Sequence, residues 1–257
     1  VKLLTIDIEN TPNVSFNWEA KAIYIPHKMM IQHRKMLCFA AKWHGDDHTY
    51  FYRGKGMVEK ALEMMSEADA LITYNGRRHD IPILNTEIKK AGLTPPPPPI
   101  HIDLIQTVRS QFKLYSNSLD YTCKYFGLPG KEESGGWETW QHIAMDEFIK
   151  DQGLKPPANP NLEPAWLLME KYNRWDVEIT EILYDFLLPW IPNHPNRGLF
   201  GEASAIFGEA CCPRCGGTDL RPQGFTYTSS GRFQRYRCAS CGRWSKHFSR
   251  DRSTETR

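Results

Sequence analysis

Residues 2–10 read Lys2-Leu3-Leu4-Thr5-Ile6-Asp7-Ile8-Glu9-Asn10. Residues 2–8 form a short apolar run with strand character. Asp7 and Glu9 stand at i and i+2, so both side chains leave the same face, about 7 Å apart at Cα. Two such acids repel, and each raises the other's pKa unless a cation neutralises them. With few basic residues nearby, the pair invites a divalent metal. The bland alternative is a solvent-facing strand end.

Working outward, MLCFAAKW (about 36–43) and HTYFYR (48–53) read as strands joined by a Gly-Asp-Asp turn. With the first strand they predict an antiparallel meander. Residues 10–35 have no clean period and read as an inserted loop or short helix. Apolar residues recur helically from Met57 to Ala68, and 69–74 (DALITY) is a compact buried strand. A helix over about 80–91 ends at Gly92. The five prolines 95–99 make a stiff connector, followed by a strand at 100–103 and helices near 104–113 and 117–126. Residues 129–161 are rich in Gly, Pro and charge, and read as a flexible insertion holding a helix at 144–150. A long helix runs from about 163 to 188 and stops before Pro189. The order β-β-β-α-β-α-β-α implies an α/β fold, a mixed sheet with helices on both faces.

Two further acids fall at telling places. Tyr74-Asn75-Gly76-Arg77-Arg78-His79-Asp80 lies where a buried strand gives way to a helix, the position at which open α/β sheets present functional groups. Asp80 is equally a good helix cap. Arg77 and Arg78 either reach substrate phosphates or are a solvated pair. Tyr172-Asn-Arg-Trp-Asp176 sits inside the long helix, and Tyr172 and Asp176 share a face at i and i+4. An acid on the inner face of an apolar helix is costly unless paired or metal-bound; on the outer face it is unremarkable.

The composition (40% hydrophobic, 24% charged, 12% aromatic) excludes wholesale disorder, collagen and coiled coil. No apolar run reaches membrane-spanning length, and VKLLTIDIEN lacks the apolar core of a signal peptide, so a cytoplasmic protein with no membrane partner is expected. The net charge of +2 hides an asymmetry: residues 211–257 carry 10 basic and 3 acidic groups, while residues 1–210 carry 22 and 27. Five of the seven cysteines also lie in the basic tail. Cys212-Pro-Arg-Cys215-Gly and Cys238-Ala-Ser-Cys241-Gly flank a β-like segment with a Ser-Ser-Gly turn at 229–231, which suits four thiolates closing a structural Zn²⁺ site in a zinc ribbon. Cys211 reads as a spectator, and Cys38 and Cys123 as core residues. Three divisions are expected: a catalytic body over 1–190, a linker over 191–208 and the ribbon over 209–257. In the tail, Arg232, Arg235, Arg237, Arg243, Lys246, Arg250 and Arg252 alternate with Phe233, Tyr236, Trp244 and Phe248. That pattern suits a phosphate backbone with stacked single-stranded bases, or else aromatics that only cover the zinc.

The acid pair on strand one, Asn75-x-x-x-x-Asp80 after a later strand and Tyr172-x-x-x-Asp176 on a late helix together resemble the DEDD 3′→5′ exonucleases. Those enzymes have a ribonuclease H-like fold and include the proofreading domains of DNA polymerases. The resemblance covers about residues 2–190, and Tyr172 matches the tyrosine subclass. With the ribbon attached, the chain resembles stand-alone bacteriophage exonucleases. The resemblance implies two Mg²⁺ or Mn²⁺ ions held by Asp7, Glu9, Asp80 and Asp176, with Tyr172 orienting the attacking water and Asn75 near the terminal nucleotide. Single-stranded DNA or the 3′ ends of nucleic acid would be the substrate. The ribbon would grip nucleic acid or a replication protein such as a polymerase. Asp103 would be a helix cap or a partner of the metal ligands. One departure is His79, where polymerase-associated members carry Phe; it bears on substrate stacking and not on the metal site. The alternatives are a non-catalytic nucleic-acid-binding adaptor and a structure-specific endonuclease on the same fold.

Overall fold

The alternation of the first strand sets the layers. In the computed structural model, which describes residues 1–18, 24–132, 135–192, 194–197, 210–229 and 231–246, β1 (Leu3–Asn10) is the centre of a five-stranded sheet. Its neighbours are β4 (Met36–Trp43), antiparallel, and β6 (Ala70–Thr73), parallel. β5 (Tyr50–Arg53) and β7 (Ile100–Asp103) form the edges, giving the order β5-β4-β1-β6-β7. The expected antiparallel meander and mixed sheet are both present.

Because successive side chains of a strand point to opposite faces, Leu4, Ile6 and Ile8 join one core with Phe39, Met65, Leu84 and Ile88. That side is closed by α1 (Met57–Glu67) and α2 (Asp80–Lys90). Leu3 faces the other way, into a core with Ile72, Leu104, Val108, Ile179, Leu183 and Leu187. This second layer comprises α3 (Leu104–Gln111), α4 (Leu119–Tyr125) and the 26-residue α6 (Leu162–Leu187). By the same alternation Asp7 and Glu9 fall on the α6 side, opposite Ala40 and Cys38 of β4. Small residues at those two positions leave room beside the acids.

Two regions depart from expectation. Among the described residues of 10–35 the chain makes a small antiparallel pair, β2 (Val14–Ser15) and β3 (Met30–Gln32), with a 3-10 turn at His27–Met29 just before β3. Strands this short carry too few residues for a period-two signal. Residues 129–161 are not a loose insertion around a short helix: α5 runs from Gly136 to Asp151. It packs through the fully buried Ile143 against Ala165, Trp166 and Met169 of α6. Lys35 ties its far end down through Glu147 (3.1 Å) and Asp151 (2.7 Å). The glycines before it break a local pattern, but burial against α6 outweighs that weak local preference.

After α6, β8 (Leu220–Thr228), β9 (Gly231–Cys238) and β10 (Trp244–Lys246) make a separate antiparallel sheet in the order β10-β9-β8. It meets the body where Arg243 Nη1 donates to Pro189 O at 2.7 Å. Arg197 N–H donates to Pro213 O at 2.9 Å. Most of the expected linker 191–208, with Phe248, Arg250 and Arg252, lies outside the described residues. Among the described residues no helix is long and apolar enough to cross a membrane.

Candidate active site

Three of the four predicted acids converge. Carboxylate oxygens of Asp7 and Glu9 from β1 and of Asp176 from α6 lie within 4.8 Å of one another. One helix turn before Asp176, the fully buried Asn173 donates Nδ2–H to Asp7 Oδ2 at 2.7 Å and to Asp7 O at 3.3 Å. These bonds clamp α6 onto β1 and fix the Asp7 carboxylate.

Asp80 stands at one side of this trio. It opens α2, but its side chain caps no helix end; Asp80 Oδ1 accepts the Ile8 N–H at 3.1 Å, between the two acids of β1. The turn that delivers it is built tightly. Asn75 adopts φ 66°, and a Cβ on Gly76 would come within 2.5 Å of the Thr73 side chain. Asp103, at the end of β7, accepts the Asn75 N–H (2.7 Å) and the Arg77 N–H (3.2 Å). It makes no side-chain cap on α3 and instead anchors the turn before Asp80.

The acids feel one another. Burial raises the Asp7 carboxyl well above its ordinary value, and Asp80, Glu9 and Asp176 push the same way. Burial, then Asp176, pushes Glu9 up from 4.5 to about 8. Asp80 and Asp176 are also raised, chiefly by burial. Such carboxylates need a cation to ionise together at neutral pH.

One cation is already there. Lys131 Nζ donates to the Tyr172 hydroxyl at 2.8 Å and to Asp176 Oδ2 in a very short contact. Burial alone would lower the Lys131 pKa, but the Asp176 carboxylate and Tyr172 outweigh it and raise it. The segment carrying Lys131 is pinned twice: its N–H donates to Asp120 Oδ1 at 2.9 Å, and Trp175 Nε1–H donates to Gly130 O at 2.9 Å. A Cβ on Gly130 would meet Lys124 and Asp120 at 2.4 and 2.7 Å. Tyr172 also rests edge-on against Trp140 of α5. Burial, then Asp176, lifts its pKa to about 12, so it stays a phenol at neutral pH.

Lys131 and Asn173 were both missed from the sequence. Asn173 had a signal, three residues before Asp176 on the buried face. Lys131 had none, because only folding brings it 45 residues along the chain to Asp176. Of the predicted substrate contacts, Asn75 is half-buried in the turn and Arg77 is exposed, with Nη2 at 3.4 Å from His101 O. Arg78 points instead along α2 with His79, whose Nε2 hydrogen-bonds Asn10 Oδ1 at 3.0 Å.

The donors fit a hard divalent cation. All are carboxylate oxygens, which suit Mg²⁺ or Mn²⁺, and buried Asp176 Oδ1 has no hydrogen-bond partner. The second cluster is its soft counterpart. Cys212, Cys215, Cys238 and Cys241 place their sulfurs within 4.8 Å of one another. The Cys212–Cys241 and Cys215–Cys238 separations are 3.7 and 3.6 Å, close to the ~3.8 Å edge of a tetrahedron with Zn–S bonds of about 2.3 Å. The backbone N–H groups of Arg214 and Gly217 point at Cys212 and Cys215 Sγ, both at 3.4 Å. Cys211 stands outside the cluster, and Cys38 and Cys123 are fully buried in the body.

A five-stranded mixed sheet with acids on its central strand and on a crossing helix defines a ribonuclease H-like protein, the architecture of a class of nucleases. The chain belongs to the RNase_H superfamily: the RNase_H_2 family matches residues 36–188. Among solved structures, 94 chains match. One is the family B DNA polymerase from the hyperthermophilic archaeon Pyrobaculum calidifontis, with TM-score 0.50 and 19% identity over 73% of this chain. The match spans 24% of that polymerase, so the likeness concerns the fold of one part of it. No curated protein matches the chain.

Proposed function

We propose that this chain is a metal-dependent 3′→5′ exonuclease of the DEDD superfamily, tyrosine subclass, hydrolysing phosphodiester bonds of DNA or RNA. The observation that carries the reading is the meeting of Asp7, Glu9 and Asp176 around a buried oxygen with no partner, beside a tyrosine held by a lysine. Asp7, Glu9, Asp80 and Asp176 are the ligands for two Mg²⁺ or Mn²⁺ ions. Asp7 feels the charge of all three other acids and would help hold the ions. When bound, the ions would activate water and neutralise charge on the phosphoryl oxygens.

The chain's own residues do the rest. Asn173 holds Asp7 in one rotamer. The Tyr172 hydroxyl, too weak an acid to give up its proton at pH 7, orients the attacking water by hydrogen bonding. Lys131 fixes that hydroxyl and balances the Asp176 charge, leaving Asp176 Oδ1 for a metal. Asn75, Arg77 and Arg78 are assigned to the substrate strand, whose 3′ end would enter beside α2.

We assign the body to residues 1–190 and a zinc ribbon to 209–257, joined by 191–208. Three cross-strand pairs on the ribbon set Arg232 over Phe225, Arg235 over Trp244 and Lys246 over Phe233, at 4.2, 4.5 and 4.8 Å. Arg235/Trp244 and Lys246/Phe233 share one face and Arg232/Phe225 lies on the other; cations over aromatics suit nucleic acid, or a polymerase or other replication protein. The proposed setting is cytoplasmic, where free thiols persist, in the manner of a stand-alone bacteriophage exonuclease.

The test is one gel. With Mg²⁺ or Mn²⁺ and 5′-labelled single-stranded DNA or RNA, the protein should give a ladder shortening from the 3′ end, and Asp7→Ala should give none. A discrete internal cut would identify an endonuclease instead, and tight retention without product an adaptor.

A further inference from the structure

We infer that a groove along α2, walled by the segment after β3, binds the phosphodiester backbone of the single strand whose end occupies the carboxylate site. The inference rests on the nuclease reading above and adds a second element to it. The groove holds about 490 Å³, the size of a pocket for a small organic ligand. Its near end is His79, which precedes the metal-site Asp80 in the chain and whose ring is bonded to Asn10, the residue after Glu9. From there it follows α2 to Lys90, about 16 Å at 1.5 Å per residue.

The lining supplies the charge. Arg78 comes from the turn before α2, Arg34 from the segment linking β3 to β4, and both are exposed. The one carboxylate, Glu87, is engaged by Lys90 at 3.0 Å. Two guanidiniums from separate elements thus face one cleft with no acid left to neutralise them there. Guanidinium is the side chain best shaped for phosphate, and Ile83 between them gives a base or sugar an apolar wall. Arg34 is held in place through its backbone, whose N–H donates to Asn13 Oδ1 at 2.8 Å. His33 and Arg34, just after β3, thus form the far wall of the strand path, and Asn13 just before β2 holds that wall in place. The lining reads phosphate charge and no sugar hydroxyl, so DNA and RNA strands are the same ligand to it.

The experiment is equilibrium binding in EDTA, where no turnover occurs, using fluorescein-labelled dT20 and rU20 between 50 and 200 mM NaCl. Arg34→Ala/Arg78→Ala should weaken both oligonucleotides about tenfold or more at the lower salt. It should also flatten the slope of log K against log salt by about 1.4, the value for two lost contacts on a single strand. Arg34→Lys/Arg78→Lys should retain most of the affinity. Unchanged affinity and slope in a variant with native circular dichroism would overturn the groove, and loss confined to one sugar type would overturn a backbone contact. If the double variant misfolds, the exposed Arg34→Glu carries the same comparison. Hydrolysis of the p-nitrophenyl ester of thymidine 5′-phosphate by the unmodified protein with Mn²⁺ tests the nuclease reading separately. Its failure beside intact salt-dependent binding would sink the chemistry and leave the groove.

Discussion

The described residues hold two clusters of acidic groups, one of oxygens and one of sulfurs, built in opposite ways. The thiols come from two short loops within 30 residues, where each C-x-x-C brings its own backbone N–H groups to its sulfur. The carboxylates come from positions up to 169 residues apart, on a central strand and a crossing helix. The first cluster is held by its small sheet alone, and a metal bound there would add its own binding free energy to that sheet's folding. The second is assembled by the body's hydrophobic cores, and Lys131 already supplies part of the missing charge. A local site should therefore depend on its ion for folding, and a long-range site for chemistry.

The strongest challenge to that contrast is to remove zinc. Structural zinc contributes on the order of 10 kcal/mol to small domains, so Cys212→Ser/Cys215→Ser should lose one zinc per chain and the amide protection of β8–β10. The sheet of the body should stay protected in hydrogen exchange. Arg214 sharpens the expectation. It is buried, its Nε and Nη1 have no hydrogen-bond partner, and Cys241 is among the groups acting on it; a zinc tetrathiolate, with its net charge of −2, would compensate it. Zinc content unchanged in that variant would end the ribbon assignment.

Next in size is the oxygen cluster. Asp7→Ala should lower turnover by about a thousandfold or more, near 4 kcal/mol in the barrier, while its far-ultraviolet circular dichroism stays native. Global unfolding of this variant would show that the body, too, depends on its metal site to fold.

Lys131→Ala should have a smaller effect, about 10- to 100-fold, seen in kcat more than KM because the lysine holds Tyr172 and Asp176 rather than substrate. Lys131→Arg should recover part of it. Equal loss with alanine and arginine would mean that positioning, not charge, matters there.

The smallest effect is on metal-free stability. Because Glu9 is raised from 4.5 to about 8 in the folded chain, the folded state holds that proton more tightly than the unfolded one. Its contribution is therefore complete below pH 4.5 and lost as pH rises through 8. Thermal unfolding in EDTA should show Tm falling by a few degrees between pH 6 and 8.5, and millimolar Mn²⁺ should cancel the fall. A Tm that rises over this window in EDTA would contradict the crowding of the acids.

Legibility followed the same division. The central strand, the β1–β4–β5 meander and the long last helix were readable because alternation and 3.6-residue periodicity are strong in KLLTIDI, MLCFAAKW and residues 163–188. The thiol cluster was readable from spacing alone. Only the second half of α5, 144–150, was legible; glycines at its start masked a helix that begins at Gly136 and buries Ile143 against α6. Asp103 read as a possible cap, and only the pairing of β7 with β6 brought it under the Asn75 turn.

What the sequence by itself determined is which groups can act: two acids on one face of a strand, Tyr172 and Asp176 on one face of a helix, and four thiols at ribbon spacing. Those relations depend on local geometry, which a period of two or 3.6 residues sets without outside help. What only the tertiary structure decided is their company. Asn173 clamps Asp7, Lys131 reaches Asp176 from a segment with no periodicity, and Arg34 and Arg78 line one groove along α2. These juxtapositions join residues 44 to 166 positions apart, and they exist because burying apolar faces on both sides of one sheet brings those segments together.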